Sequence, residues 1–317
     1  MKLDSIFCIY SMTKPLVSVV AMMLVEDGFI QLTDPISKFL PAFKDMQVSV
    51  ATTGADGKAT YTNVPAARPI IVQDLLRHSA GLAYAEITKN EPVKAAYVEA
   101  KFSQPGIHEF DSLGRVVEAA SGKRLAVFLD ERLFTPLKMV DSSFWLPASK
   151  MSRLAQPLPV DPASGQKVSV LDVSAELRND SGGAGALSTA IDYLRFGQML
   201  MNGGELDGVR VLSRSTIKLT TSDHLGTRIA APFQPGELLL GTPGYTFGLG
   251  FAVRQNDGIA GVSGSAGEFM WAGYAGTFFW VDPKEEIVGV YMTQAPSPIR
   301  AYYRKMFKAL VYQALAD

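Results

Sequence analysis

The chain has 317 residues, 47% of them hydrophobic and 19% charged, an ordinary composition for one large core or two lobes sharing a cleft. A formal net charge of -1, with basic residues scattered along the sequence, leaves no electrostatic footprint for nucleic acid or an anionic membrane. Cys8 is the only cysteine, which excludes an intrachain disulfide and suits a reducing, cytoplasmic setting; with only His78, His108 and His224 beside it, no zinc site is expected.

In chain order, residues 5–10 (SIFCIY) are β-branched and aromatic and predict a strand. From Ser11 the pattern becomes a long apolar helix that stops at Gly28. Its apolar run from Pro15 to Val25 is far shorter than the ~20 residues of a membrane span. No small-residue cleavage site follows it, so it reads as a buried helix rather than a signal core. Residues 48–62 predict a hairpin turning at Gly54 to Gly57, and 72–78 a helix closed by Gly81. Helices follow at 113–120 and 125–133, separated by Ser121-Gly122. A Pro/Gly-rich loop covers 147–179, and the cluster Gly182-Gly183-Ala184-Gly185 leads into a periodic helix over 188–201. The last third predicts strands at 245–254, 268–272, 276–281 and 287–293, with Asp282-Pro283-Lys284 as a turn. Pro298 opens a final helix whose Tyr302, Met306, Leu310 and Val311 make one apolar face. Strands at both ends with helices between them predict a discontinuous α/β subdomain, residues 1–50 and 180–317, carrying a mostly helical subdomain over 51–179.

The chemistry concentrates at Ser11-Met12-Thr13-Lys14, an S-x-x-K pattern. Positions i and i+3 share a helix face, so the Lys14 amine can approach the Ser11 hydroxyl. A serine hydroxyl is a weak nucleophile until a base takes its proton, and a lysine serves only if burial lowers its pKa. The helix N-terminus adds positive potential for a developing oxyanion. Ser164-Gly165-Gln166-Lys167 and Ser215-Thr216-Ile217-Lys218 match the same pattern. The first lies in a loop and the second heads a polar surface helix; only Ser11 follows an apolar strand and opens an apolar helix. The plainer alternative for Ser11 is a helix cap. His78 reads as a capping or packing residue and His224 as a surface one. Gly261-Val262-Ser263-Gly264-Ser265 fails as a nucleophile elbow at its last position. The sequence has no P-loop and no dinucleotide fingerprint, and no cofactor is expected.

Ser11-Met12-Thr13-Lys14-Pro15 after an Ile-x-Tyr strand resembles the family VIII carboxylesterases, relatives of class C β-lactamases and DD-peptidases. The likeness continues in Asp74-Leu75-Leu76-Arg77-His78-Ser79-Ala80-Gly81-Leu82, in Leu113-Gly114-Arg115-Val116-Val117-Glu118, in Ser188-Thr189-Ala190-Ile191-Asp192-Tyr193 and in Trp271-Ala272-Gly273. The order is the family's and most of the chain is covered. The resemblance implies a β-lactamase/transpeptidase-like α/β (α+β) fold, a mainly antiparallel sheet flanked by helices plus a mostly helical lobe. It implies that Ser11 is acylated, that Lys14 is the base, and that the backbone N–H groups of Ser11 and Tyr274 form the oxyanion hole. Trp271 stands where the lactamases' K-T-G motif has its lysine, and K-T-G occurs nowhere in the chain. A neutral aromatic wall suits uncharged acyl esters, so Trp271 and Gly273, with Tyr84 at the cleft border, are the expected substrate-binding residues.

Two features depart from the family pattern. The second-motif tyrosine, which shuttles protons, is missing: Gln104-Pro105-Gly106 runs through Phe110-Asp111 straight into Leu113-Gly114, as though a loop were absent. Tyr61-Thr62-Asn63 fits Y-x-N only literally, in the hairpin. Family members also have strands and a helix before the nucleophile strand, so either such a segment precedes this sequence or the form is a shortened one. The function expected is a serine esterase acting on small short-acyl esters without metal, nucleic-acid or membrane partners. A β-lactamase, DD-peptidase or acyltransferase of the same fold is the nearest alternative, and a non-catalytic scaffold the alternative from another class.

Overall fold

A helix that is apolar on every face has to be enclosed by other elements. The computed structural model describes residues 1–53, 59–82, 109–176, 179–227, 229 and 233–315. Helix α1, Thr13–Glu26, buries every residue from Thr13 to Leu24. It starts two residues later than its sequence pattern predicts, because Tyr10–Met12 form a 3-10 turn. Tyr10 makes the corner in the left-handed region, φ 45, which no α-helix accommodates. Pro15 is tolerated in the first turn, where N–H groups have no intrahelical acceptor. The expected strand before it shrinks to β1, Phe7–Cys8, paired antiparallel with β4, Leu187–Ser188. Cys8 is fully buried in that pair.

Strands β2, Gln47–Thr53, and β3, Ala59–Pro65, form the expected hairpin, which is largely exposed. Helix α2 covers only Val72–Leu76, shorter than predicted, since His78 is itself left-handed (φ 57) and cannot extend it. Helix α3, Glu109–Ser121, carries Phe110 and Asp111, while Gln104-Pro105-Gly106 before it lies outside the described residues. It is followed by α4, Leu125–Leu129, and a π-helical turn over Asp130–Phe134. Gly114 of α3 and Gly182 are packed backbone to backbone. A Cβ on Gly182 would run into the Phe110 carbonyl, so the glycine cluster is pressed against the helix.

The sheet is five-stranded and antiparallel in the order β11-β10-β9-β8-β7. Its strands are β7 (Tyr245–Phe247), β8 (Ala252–Arg254), β9 (Phe269–Ala272), β10 (Phe278–Asp282) and β11 (Ile287–Tyr291). Residues 245–254, predicted as one strand, are thus a hairpin. Gly248 is pressed onto the Thr220 carbonyl and Gly250 is left-handed, so the chain reverses there. Helix α5, Ala190–Met201, covers β10 and β11, its N-terminus capped by the Thr189 hydroxyl. A small hairpin of β5 (Glu205–Leu206) and β6 (Val209–Arg210) precedes α6, Arg214–Thr220, and α7, Pro235–Leu240. Among the described residues, no helix is long and apolar enough to cross a membrane.

The final helix, α8 (Arg300–Gln313), departs from the expected face, of which only Val311 packs, half-buried, against the core. Tyr302, Met306 and Leu310 are exposed, and the helix buries Arg304 and Lys308 instead. Hydrogen bonding decides the orientation. Arg304 donates to the carbonyls of Gly273, Gly276 and Leu239, and Lys308 Nζ lies 2.7 Å from Glu268 Oε2. Glu268 is wholly buried and also accepts the Tyr245 hydroxyl at 2.5 Å. An unpaired carboxylate there would cost far more than leaving three apolar side chains in water.

Candidate active site

The turn that carries Ser11 is pinned on every side. The Met12 N–H donates to the Ile9 carbonyl (3.0 Å), and the Tyr193 hydroxyl donates to the Met12 carbonyl (2.9 Å). Thr13 Oγ1 donates to the Tyr10 carbonyl (2.6 Å) and accepts the Ala186 N–H (3.0 Å). Tyr10 OH accepts the Leu171 N–H at 3.2 Å, and its ring meets Tyr274 edge-on, centroids 5.6 Å apart. A left-handed non-glycine residue held by this many contacts, next to a candidate nucleophile, is backbone strain located at a functional site.

Lys14 Nζ lies 2.9 Å from Ser11 Oγ. The amine is buried and also donates to the Gly183 carbonyl at 2.8 Å. The Phe110 ring lies beneath it, 5.7 Å to the centroid. Burial lowers the Lys14 pKa to about 8, against the opposing pull of Asp111 and Glu109. An amine this close to a hydroxyl, and partly deprotonated near neutrality, has the geometry that proton transfer requires. The two other S-x-x-K matches do not have this setting: Ser164, Lys167, Ser215 and Lys218 are all exposed.

Asp111, absent from the sequence-derived site, accepts the Ser181 hydroxyl (2.7 Å) and the Gly183 N–H (3.0 Å) on one oxygen, Oδ1. Burial raises its pKa, while those two donors and Lys14 oppose the rise. The glycine cluster at 182–185 was the available signal, but a cluster does not say which helix it packs on. His78 is buried, its Nδ1 2.8 Å from Glu109 Oε2, and Glu109 Oε1 accepts the Ala80 N–H. Burial lowers the His78 pKa more than Glu109 raises it, which favours the neutral ring.

The expected substrate wall is corrected in part. Trp271 is buried and stacks on His78, ring centroids 5.2 Å apart and 6° from parallel, so it lies in the packed interior. Alternation along β9 puts this side chain into the aromatic layer with Phe247. Gly273 serves the backbone: a Cβ there would strike the Ile9 carbonyl, and its N–H and carbonyl are bonded to Thr277 and Arg304. This close approach brings the end of β9 against the Ser11 turn. Tyr274, next in sequence, is 55% exposed, with the Arg300 guanidinium 5.2 Å from its ring centroid. Tyr84 lies outside the described residues. No group of three or more metal-ligating side chains occurs among the described residues.

The Beta-lactamase family model matches residues 1–313. The chain belongs to the β-lactamase family. Protein Rv1367c of Mycobacterium tuberculosis is 33% identical, with 93% of this chain and 78% of that protein covered. The lovastatin esterase of Penicillium rubens is 28% identical over 94% of this chain and 82% of its own length. Among solved structures, unliganded simvastatin synthase (LovD) from Aspergillus terreus superimposes with a TM-score of 0.81 at 20% identity. That match covers 100% of this chain and 86% of that one, and it shows the shared fold. Esterase EstB of Burkholderia gladioli is a further relative, 26% identical over 89% of this chain and 75% of its own length.

The β-lactamase-family motifs found in the sequence each have a physical task here. Thr189 caps α5, and Asp192 accepts the Asp141 N–H and the Ser142 hydroxyl. Asp74 holds Arg68, Arg77 and the Ile71 N–H. Gly114 and Gly182 allow the close packing of α3 on the glycine loop. In Leu113-Gly114-Arg115-Val116-Val117-Glu118 the last residue accepts the Leu125 N–H, joining α3 to α4.

Proposed function

We propose that the protein is a serine hydrolase that cleaves small esters with short acyl chains through an acyl-Ser11 intermediate. The observation that carries this reading is the buried Lys14 amine at 2.9 Å from Ser11 Oγ. Neutral Lys14 takes the hydroxyl proton as Ser11 Oγ bonds to the ester carbonyl carbon. The carbonyl oxygen becomes an oxyanion facing the backbone N–H groups of Ser11 and Tyr274. Collapse breaks the bond to the alkoxy oxygen, which leaves with the proton held by Lys14. Water then attacks acyl-Ser11, giving its proton to Lys14, and release of the carboxylic acid returns that proton to Ser11.

The preference for uncharged esters over carboxylated β-lactams rests on the absence of a K-T-G lysine. At the position of the K-T-G lysine the chain has a neutral ring buried against His78, which offers no cation to a carboxylate. The kinship with a protein named lovastatin esterase points the same way. An acyltransferase differs only in the second acceptor, so product analysis with added alcohol separates it from a hydrolase.

Treatment with a fluorophosphonate probe is expected to label the protein once, with labelling lost in Ser11→Ala. Folded wild type that takes no label supports a scaffold and removes the proposal. Turnover of p-nitrophenyl butyrate is expected to exceed that of a chromogenic cephalosporin; the reverse order assigns a β-lactamase.

A further inference from the structure

Burial makes Lys14 a base, but burial alone does not aim it. We infer that Asp111 is a positioning residue for Lys14, acting through the Gly183 carbonyl. This inference rests on the acyl-Ser11 reading and goes one step behind it.

Gly183 joins two peptide planes, and both are held. Its own N–H donates to Asp111 Oδ1 at 3.0 Å. The next N–H, that of Ala184, donates to Ser181 Oγ at 3.1 Å, and the Ser181 hydroxyl donates to the same Asp111 oxygen at 2.7 Å. One carboxylate oxygen therefore anchors both planes, and between them the Gly183 carbonyl is fixed toward Lys14 Nζ at 2.8 Å. The loop cannot drift from the helix that supplies Asp111, because Gly182 lies against the Phe110 carbonyl with no room for a side chain. A neutral amine has two N–H bonds and one lone pair. Engaging an N–H with a fixed carbonyl restricts rotation about the terminal C–N bond and helps aim the lone pair at Ser11.

Among the described residues, the ionisable groups acting on Lys14 are Asp111 and Glu109 from α3 and His78 from the turn after α2; those acting on Asp111 are Lys14 and Arg115. Asp111 therefore does two separable things: it accepts two hydrogen bonds, and its charge favours the protonated amine. Asp111→Asn keeps an acceptor oxygen and deletes the charge, whereas Asp111→Ala deletes both.

The test uses the full chain with p-nitrophenyl butyrate and the fluorophosphonate probe, with circular dichroism and melting to confirm folding. Asp111→Ala is expected to lower kcat by ~10–100-fold with KM little changed, and to slow labelling in parallel above the acid limb, where the amine is already neutral. Asp111→Asn is expected to recover most of kcat while its acid limb moves to lower pH. Ser181→Ala, which removes one of the two anchors, is expected to fall between wild type and Asp111→Ala.

A folded Asp111→Ala with wild-type kcat and labelling rate overturns the inference. So does an Asp111→Asn as slow as Asp111→Ala with its limb unmoved, since that marks a merely structural carboxylate. If Asp111→Ala does not fold, Asp111→Asn and Ser181→Ala decide, and wild-type rates with an unmoved limb in both overturn it. Failure of the acyl-Ser11 reading is seen independently, as wild type that takes no label or a Ser11→Ala variant that still does.

Discussion

Lys14→Met is expected to lower kcat for ester hydrolysis by ~10²–10⁴-fold, the range general-base catalysis supplies, while leaving a folded protein. Methionine is unbranched and fills the lysine's channel through the core without placing a charge there. The accompanying change in pH dependence is the sharper readout. The active form carries the neutral amine, and burial lowers the Lys14 pKa to about 8. Wild-type rate should therefore climb with pH, about tenfold per unit below that value, and level off above it. In Lys14→Met the limb should vanish. A variant that keeps wild-type kcat, or keeps the limb, excludes this amine as the base.

The largest stability effect is expected in Lys308→Met. Lys308 and Glu268 are both fully buried and 2.7 Å apart. Arg254 lies farther from the carboxylate, at 3.7 Å, and its guanidinium is already donating to the carbonyls of Asn256, Asp257, Val262 and Ser263. Removing the ammonium leaves Glu268 with the Tyr245 hydroxyl, the Tyr312 hydroxyl at 3.4 Å and a distant, shared cation. Breaking a buried pair from one side costs about 3–5 kcal/mol, whereas neutralising both partners costs much less. The urea midpoint of Lys308→Met should fall accordingly, and Lys308→Met with Glu268→Gln should recover part of the loss. An unchanged midpoint in the single variant would show that Glu268 takes up a proton at little cost.

The proximity of Lys14 to Ser11 was legible because a helix turn is a local ruler: three residues apart is enough to bring the two side chains together, whatever the rest of the chain does. The strands of the last third were legible as alternating or apolar runs of strand length, and their antiparallel arrangement only from the resemblance. What stayed hidden depends on contacts between distant segments. Nothing local to Asp111 announces that it meets Ser181 and Gly183. The 245–254 segment read as one strand because its reversal is dictated by Gly248 against Thr220, a neighbour remote in sequence. The final helix was misread for a related reason. Apolar spacing assumes that the interior wants hydrocarbon, but here it contains Glu268 and the carbonyls of Gly273 and Gly276, which need donors. Trp271 was assigned to a cleft surface by analogy of position, and only the stacked His78 reveals that it faces the core.

Cys8 lies three residues before Ser11, wholly covered where β1 meets β4, and burial pushes its thiol up to about 12. At ordinary pH it is neither ionised nor reachable, so iodoacetamide reacts only when that strand pair separates. The molecule thus contains a built-in stopwatch. The pace at which its single thiol is alkylated measures how often the segment presenting Ser11 comes loose, and a stably acylated serine that braces the cleft would slow the hand.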